Sequence, residues 1–308
     1  VRKIKGHFDI IFVYQTSLVT VGIPAIFAKK IFKIPIYFWV QDLWPESLKA
    51  AGGINNTFIL GIFNSLTIWM YNHSTKVLIQ SEGFREYIKN QGIFDNKIVY
   101  YPNPTEDFYK PIIGLKKYSE FFEQKFFNIV FAGNIGEAQS FKTIIGAMAL
   151  LKNLPVKIIV LGSGRYKETA LSLIQENGLE SHFNFLGSFP SRDMPIFFSH
   201  ADALLVTLKK NRIFSLTIPA KVQSYLACGK PIIGSLDGSG AQIINKAKCG
   251  VVSPAEDVVK LSQNIKDITA LQKNKLTEMG RNGRNYYEKE FDREFLLDRL
   301  ELILNSHK

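Results

Sequence analysis

The sequence predicts an α/β protein built from two doubly wound, Rossmann-like domains. Short apolar runs of strand length recur along the chain with helical stretches between them, and they lack the polar alternation of strands that face water. Unbroken apolar strands between helices indicate parallel sheets covered on both faces. The chain has 308 residues, of which 46% are apolar and 21% are charged, so it is too long for one ordinary domain and too apolar for disorder.

Ten strands are predicted, four of them before an irregular stretch in the middle of the chain and six after it. Six strands complete a doubly wound domain, whereas four leave the first domain short by its first strand and loop. Because the chain also starts with Val1 and a basic segment, we expect its true beginning to be missing. The predicted strands are residues 8–14, 35–40, 76–80, 97–101, 128–132, 156–161, 183–186, 203–206, 231–234 and 250–252.

The boundary between the domains is predicted between residues 101 and 126. The strand and helix pattern lapses there into a Pro-Asn-Pro sequence at residues 102–104, followed by a charged helix. Helices are predicted at residues 270–290 and 291–305. The predicted domains are residues 1–105, residues 106–290, and a C-terminal helix over residues 291–308 that packs back towards the first domain.

Charge and cysteine content restrict the class of partner. Lysine and arginine outnumber the acids 38 to 27, giving a formal charge of +11. The basic pairs are spread along the chain, and no helix-turn-helix, RNP or zinc pattern accompanies them, so nucleic acid is not expected. An anionic lipid or a diphosphate substrate fits the charge better. Cys228 and Cys249 are isolated, which favours a structural role in a reducing cytoplasm.

The most hydrophobic stretch covers residues 57–71. It is shorter than the roughly 20 residues of a bilayer span, and Asn64 interrupts it. It therefore predicts a buried or interfacial helix. With the positive charge, it suggests either peripheral binding to the inner face of the plasma membrane or a core helix in a basic soluble protein. No signal peptide is visible, and a cytoplasmic location is expected.

Two glycine turns follow strands of the second domain. Such turns let backbone amides approach a phosphate beside a helix start, and ligands gather at the carboxyl edge of an open α/β sheet. A tight turn also needs glycine for its geometry alone, so a plain turn remains the alternative, with Arg165 merely solvated. The residues concerned are Gly133, Asn134 and Gly136 after the first strand of this domain, and Gly162, Gly164 and Arg165 after the second.

The densest signal lies in residues 215–241. Pro219 predicts a helix start, which places Lys221 in the first turn, where a lysine is unfavourable unless an anion binds. One charged contact contributes about 1.5–3 kcal/mol, whereas micromolar affinity requires about 8 kcal/mol. Lys221 therefore needs help to hold a diphosphate, and a solvated lysine is the alternative. The turn that opens the next helix, with Gly238, Ser239, Gly240 and Ala241, is the candidate.

In the first domain, Gln41, Asp42, Trp44 and Glu46 follow the strand at residues 35–40. Two carboxylates, a glutamine and a tryptophan in one loop at the carboxyl end of a strand indicate the wall of a cleft. The alternative is a helix cap with a packed indole ring.

These motifs together resemble the GT-B retaining glycosyltransferases of family 4, and within it the fucosamine-transferase-like branch that builds bacterial O-antigen and capsule. The resemblance spans essentially the whole chain and implies two Rossmann-like domains facing a cleft, the first incomplete at its N-terminus. It rests on QDLWPES from residue 41, YYPNP from residue 100, FAGNIGEAQ from residue 131, LGSG from residue 161, IPAKVQSYLACGKPII from residue 218 and SLDGSGA from residue 235.

The resemblance places a nucleotide-sugar donor in the second domain and the acceptor side in the first. Two departures matter: Leu216 and Ser224 stand where many members have two glutamates, and Gln41 and Asn134 replace a histidine and an arginine. The donor residues it implies are Gly133, Asn134, Gly136, Lys221, Ser224 and Gly238 to Ala241, with base and ribose near Gly187, Ser188, Phe189 and Met194. We take Asp42, Glu46 and Lys221 as catalytic, and Gln41 and Trp44 as acceptor-side residues.

The activity implied is transfer of a sugar, N-acetylated by expectation, from a UDP-sugar to a lipid-diphosphate-linked glycan with retention of configuration. The departing diphosphate would help to deprotonate the acceptor, and neither a cofactor nor a metal is expected. Two alternatives remain: a UDP-sugar epimerase on the same fold, and a non-catalytic sugar-nucleotide-binding partner. Leu216 and Ser224 motivate the second.

Overall fold

The protein is described by a computed structural model that covers residues 6–16, 18–50 and 56–306, without the side chains of residues 49 and 50. The expectation about the start of the chain concerns residues outside this part. Contacts divide the chain into two units. The first unit comprises Val1–Asn103, Asn211–Thr217 and Leu296–Lys308, and the second comprises Pro104–Lys210 and Ile218–Phe295. The domain boundaries predicted at residues 105 and 290 stay predictions.

The strands confirm the predicted α/β pattern, with ends shifted by up to three residues. They are β1 (Ile11–Gln15), β2 (Ile36–Val40), β3 (Lys76–Ile79), β4 (Ile98–Tyr100), β5 (Phe127–Ala132), β6 (Val156–Leu161), β7 (Phe183–Gly187), β8 (Ala203–Thr207), β9 (Ile232–Ser235) and β10 (Gly250–Ser253).

Helices connect these strands and close the chain. They are α1 (Ile23–Phe32), α2 (Glu46–Ala50), α3 (Thr57–His73), α4 (Gly83–Lys89), α5 (Phe141–Ala149), α6 (Lys167–Glu176), α7 (Met194–His200), α8 (Arg212–Leu216), α9 (Ala220–Ala227), α10 (Gly238–Lys246), α11 (Val258–Thr269), α12 (Lys273–Glu290) and α13 (Arg293–Asn305).

Each unit contains one parallel sheet. The strand order is β1-β2-β3-β4 in the first unit and β10-β9-β8-β5-β6-β7 in the second. The second order is that of a complete doubly wound domain, in which the chain turns from one half of the sheet to the other between β5 and β8. Ligands bind outside the carboxyl ends of the strands at such a point. The fold therefore directs attention to the loops after β5 and β8.

The strands are mostly apolar, as expected for parallel sheets that helices cover. All five residues of β8 are buried, and in β2 only Trp39 is partly exposed. In the second unit, Ile129, Phe131, Val160 and Leu205 belong to one buried apolar cluster with residues of α5 and α11. The sheet and its helices thus form the rigid support for the loops at its edge.

The prediction of a charged helix between residues 101 and 126 is wrong. The segment is irregular, apart from one short 3-10 turn at Ser119–Phe121. Tyr118 takes a left-handed conformation, with φ of 70°, and its ring stacks on Phe197 at 4.2 Å between centroids. An irregular segment with aromatic packing inside the second unit therefore stands where the charged sequence suggested a helix.

From Leu296 onwards, the last helix belongs to the first unit. Leu296 is fully buried beside Tyr37, Leu78 and Tyr101, and the Tyr37 hydroxyl donates a hydrogen bond of 3.1 Å to the carbonyl of Leu304. One side of the first sheet is thus covered by a helix from the far end of the sequence.

Replacing Leu296 with Ala should lower the free energy of unfolding by about 2–5 kcal/mol, because it leaves a cavity against the sheet. Leu302→Ala, on the same helix but 73% exposed, should change it by less than about 0.5 kcal/mol. Urea denaturation of both variants measures the difference. Equal losses would mean that α13 is not held through Leu296.

Candidate functional site

The loops after β5 and β6 lie in direct backbone contact at the carboxyl edge of the second sheet. Gly133 donates to the carbonyl of Leu161 at 2.8 Å, and Ile135 donates to that of Ser163 at 2.8 Å. A Cβ atom on Gly162 would lie 2.0 Å from the Gly133 carbonyl oxygen, and Gly162 has a φ of 138°. No side chain fits between these loops, so glycine is required there for the close approach.

The same contact brings the other residues of the two turns together. The Asn134 side chain lies between Gly136 and Gly164. A Cβ atom on Gly136 would be 2.7 Å from its Nδ2, and a Cβ atom on Gly164 would be 2.6 Å from its Oδ1. The loop after β7 joins them, since Gly162 donates to the Gly187 carbonyl at 2.7 Å. The Ser188 hydroxyl donates to that of Ser163 at 3.3 Å.

Lys221 reaches this cluster from α9, the second helix after β8. Its Cε would lie 2.6 Å, and its Nζ 3.0 Å, from a Cβ atom on Gly133, so the glycine makes room for the lysine. The Nζ atom also lies 3.7 Å from the centroid of the Phe131 ring. Lys221 therefore sits where the sheet order changes between β5 and β8. It lies in the first turn of α9, as the helix start at Pro219 predicted.

The environment of Lys221 favours its neutral form. Burial alone lowers its pKa to about 7, and no nearby charge contributes. In the described part of the chain, no carboxylate or carbonyl group pairs with the ammonium. A half-buried cation with an aromatic ring below it and no counterion is costly unless an anion completes the site.

The turn at the start of α10 lies beside the residue that precedes α9. A Cβ atom on Gly240 would be 2.9 Å from Cδ of Pro219. The carboxylate of Asp237, the residue before α10, accepts a hydrogen bond from Ala255 N at 3.1 Å and does not cap the helix. The first turn of α10, predicted to hold the diphosphate, is thus adjacent to the start of the helix that carries Lys221.

Other predicted donor residues lie apart from this cluster. Phe189 packs into an aromatic group with Tyr118 and Phe197, at 5.4 and 4.7 Å between centroids, and Met194 is buried at the start of α7. Arg165 is exposed. The Ser224 hydroxyl donates to the carbonyl of Lys221 at 3.1 Å, within its own helix.

Leu216, which stands where the resemblance implies a glutamate, has apolar surroundings. Leu216 and Ile213 of α8 pack against the apolar cluster of the first unit, which includes Trp44 and Phe84. An apolar side chain here stabilises that unit, whereas a glutamate would carry a charge into its core.

The predicted residues of the first unit come together in the loop after β2. Trp44 lies in the apolar core, edge-on to Phe63 at 5.3 Å, and its indole N–H has no hydrogen-bond partner among the described residues. Asp42 is half-buried, and burial raises the pKa of its carboxyl group. Glu46 begins α2. The pKa of Tyr87 is raised to about 12, mainly by burial and further by the charge of Glu46, while the charge of Arg212 lowers it.

Three residues that bind loops by hydrogen bonds, Glu256 in the second unit and Gln15 and Gln80 in the first, were not predicted from the sequence. The carboxylate of Glu256, after β10, accepts from Lys210 N at 3.0 Å and from the Ser140 hydroxyl at 3.5 Å. No local pattern marks a contact between residues so far apart in sequence. Gln15 and Gln80 donate hydrogen bonds to the loop after β2. The sequence does mark these two residues, because each is a polar residue at the end of an apolar run.

Solved structures show that the fold is GT-B. HepE from Anabaena, in complex with UDP, superposes with a TM-score of 0.81 at 15% identity over 97% of this chain and 79% of that chain. Sucrose-phosphate synthase from Thermosynechococcus elongatus superposes with a TM-score of 0.77 at 15% identity, over 96% and 73% of the two chains. The GT-B prediction is therefore confirmed for a chain with two parallel sheets.

Sequence comparison then identifies the family. Residues 115–286 match the family described as glycosyl transferases group 1, and the chain belongs to that family. A putative colanic acid biosynthesis glycosyltransferase, WcaL of Escherichia coli K12, is 22% identical over 181 residues. The alignment covers 58% of this chain and 45% of WcaL, so the chain spans about half of that relative.

The pKa of about 7 for Lys221 makes a prediction about stability. An unfolded lysine keeps a pKa near 10.4, so between pH 7 and 10 the unfolded state binds more protons and stability rises with pH, by at most about 1.4 kcal/mol per unit. Lys221→Met should remove this rise and be more stable than the wild type at pH 7. Denaturation curves from pH 6 to 10 measure it, and exposed Lys142→Met is the control. Parallel pH curves for wild type and Lys221→Met would contradict the prediction.

Proposed function

We propose that this protein is a retaining glycosyltransferase that moves a sugar, an N-acetylated hexose by preference, from a UDP-sugar to a lipid-diphosphate-linked glycan. The observation that carries the proposal is the unpaired Lys221 ammonium beside Gly133, at the turn of the chain between β5 and β8. Family membership supports the reaction type, and the UDP bound in HepE supports the nucleotide.

A diphosphate would complete this arrangement electrostatically. Two anionic groups beside Lys221 would restore its charged form, and the amides of the turns at Gly133 and Gly240 would supply hydrogen bonds at helix starts. Each charged hydrogen bond contributes about 1.5–3 kcal/mol, so several together reach micromolar affinity. Neither a metal ion nor a cofactor is part of the proposal.

The proposed catalysis rests on the charge that develops on the leaving diphosphate. Lys221, held in place before the reaction, stabilises that charge more strongly as the glycosidic bond breaks. A phosphate oxygen accepts the proton of the attacking hydroxyl on the same face of the sugar, so the configuration is retained without a protein nucleophile. Asp42 or Glu46 orients the acceptor or the sugar. Leu216 and Ser224 cannot supply the carboxylates that many family members place there.

The direct test incubates the full-length protein with UDP-N-acetylhexosamines and a lipid-diphosphate-linked saccharide. A product one sugar longer by mass spectrometry, with the donor's anomeric configuration by NMR, is expected. Lys221→Ala should weaken UDP binding by about tenfold or more in calorimetry, because it removes one charged contact. Lys142→Ala, on the exposed face of α5, is the control and should bind as the wild type does.

Other outcomes of this test identify the two alternatives. Epimerised sugar in reactions without acceptor would replace the transferase proposal with an epimerase. UDP binding without turnover of donor, with every acceptor offered, would favour a non-catalytic partner. Unchanged UDP affinity in Lys221→Ala would remove Lys221 from the site.

We also propose that the first unit binds the surface of an anionic membrane, where a lipid-linked acceptor lies. The first two turns of α3 expose Phe58, Ile59 and Ile62, and this helix carries no acidic, lysine or arginine side chain. Lys30 and Lys33 are exposed on and after α1, and the whole chain carries a charge of +11. Apolar side chains combined with positive charge are typical of interfacial binding.

Among residues 6–16, 18–50 and 56–306, none of the helices combines the length and the apolar character that crossing a membrane requires.

The double substitution Phe58→Ser and Ile62→Ser should weaken vesicle binding at least tenfold, because two side chains that each contribute about 1.5–3 kcal/mol on burial no longer insert. Sedimentation with phosphatidylglycerol vesicles at low and high salt measures it. Phe94→Ser is a matched control, since Phe94 and Phe58 are both 75% exposed. Absence of wild-type binding at low salt, or an equal loss in Phe94→Ser, would contradict membrane binding by α3.

A further inference from the structure

Three neighbouring strands of the first sheet end in glutamine. Gln15 is the last residue of β1, Gln41 directly follows β2, and Gln80 directly follows β3. The strands are parallel, and Gln15 pairs with Val40, which in turn pairs with Ile79. The three amide side chains therefore start from adjacent positions at one edge of the sheet.

Two of these side chains hold the loop that begins with the third. Gln15 donates through Nε2 to the carbonyl of Asp42 at 3.0 Å, and Gln80 donates through Nε2 to the carbonyl of Gln41 at 3.2 Å. Both carbonyls lie beyond Val40, where the pairing of β2 ends. The bonds come from the strands on either side of β2, so the start of the loop is fixed from two directions.

Burial makes these bonds restrictive. Gln15 is 0% and Gln80 is 5% exposed, so water does not compete for either donor. Burying an amide is unfavourable unless it is hydrogen-bonded, and apolar side chains would fill the same space at lower cost. The glutamines are thus best explained by the loop whose carbonyls they bind.

The loop carries polar side chains at the same two residues, Gln41 and Asp42, whose carbonyls are held. A held carbonyl fixes the peptide plane, which in turn fixes the direction in which the adjacent side chains leave the backbone. The Nε2 atom of the Gln41 side chain is shielded from solvent and has no hydrogen-bond partner within the described residues. The Asp42 carboxyl group is half-buried in the next position.

We propose that Gln15 and Gln80 are positioning residues, which hold the Asp42–Leu43 and Gln41–Asp42 peptides so that the side chains of Gln41 and Asp42 meet the hydroxyl-bearing acceptor in one orientation. The substrate in this inference rests on the proposed glycosyl transfer. The clamp, meaning the two hydrogen bonds from Gln15 and Gln80 to the loop, rests on the structure alone.

The test uses Gln80→Met and Gln15→Met, which keep the side-chain length but cannot donate. Hydrogen–deuterium exchange of the peptide over residues 41–48 should rise at least fivefold, while the peptide over α3 stays unchanged. In transfer assays, KM for the acceptor should rise at least fivefold, with KM for the donor unchanged. Thr67→Val is the matched control, because it removes a bond from a buried side chain to the Phe63 carbonyl in the same unit.

A second variant guards against simple misfolding. Gln80→Glu cannot donate while ionised, but burial raises the pKa of such a carboxyl group, and its protonated form can donate to the Gln41 carbonyl. Its acceptor KM relative to the wild type should therefore recover as the pH falls from 8 to 6. A purely structural role predicts no recovery.

The outcomes separate the clamp from the reaction. Unchanged exchange over residues 41–48 in both Met variants would overturn the clamp, whatever the activity. Raised exchange with an unchanged acceptor KM would overturn the positioning role. A wild type that transfers no sugar would overturn the proposed function, and the exchange measurements would then decide the clamp by themselves.

Discussion

The candidate donor site depends on the backbone contact between the loops after β5 and β6. Gly162 approaches the Gly133 carbonyl so closely that a methyl group at Gly162 would have to lie 2.0 Å from it. This contact leaves space on the other side of Gly133 that the Lys221 side chain occupies. The glycines thus do more than allow a turn, because they decide where a cation from α9 can lie. The shape of the backbone supports the proposed phosphate-binding role of these loops before any side-chain chemistry is considered.

Lys221 shows how the fold prepares a charge without pairing it. Its ammonium lies over the face of Phe131, which is favourable, and away from bulk water, which is unfavourable, and the net result is a pKa near 7. An ion pair with a carboxylate would raise that pKa but would also compete with an incoming anion. Because the lysine has no carboxylate partner, an anionic ligand would gain the whole of the favourable charge interaction with it. The protein without ligand is less stable as a result, because the ammonium is buried without a counterion.

Much of this arrangement could be predicted from the sequence, because the causes are local. Buried strands read as apolar runs, and Pro219 marked the helix start that places Lys221. Predictions failed where distant residues decide the structure. The segment before β5 carries a charged sequence, yet it is irregular, with Tyr118 in a left-handed conformation and stacked on the distant Phe197. Glu256 meets Ser140 across 116 residues of sequence, a pairing that only the order of strands in the sheet can bring about.

Leu216 and Ser224, which stand where the resemblance implies two glutamates, lie in different surroundings. Leu216 packs against the apolar cluster of the first unit, so a glutamate there would replace apolar packing with a charge in poorly solvated surroundings. Ser224 is half-buried on α9, and the bonds described for its hydroxyl go to backbone carbonyls of its own helix. A longer side chain at this position could lose these bonds without disturbing the core. Packing in the first unit therefore gives a structural reason for the leucine, and a glutamate is expected to be tolerated better at position 224 than at position 216.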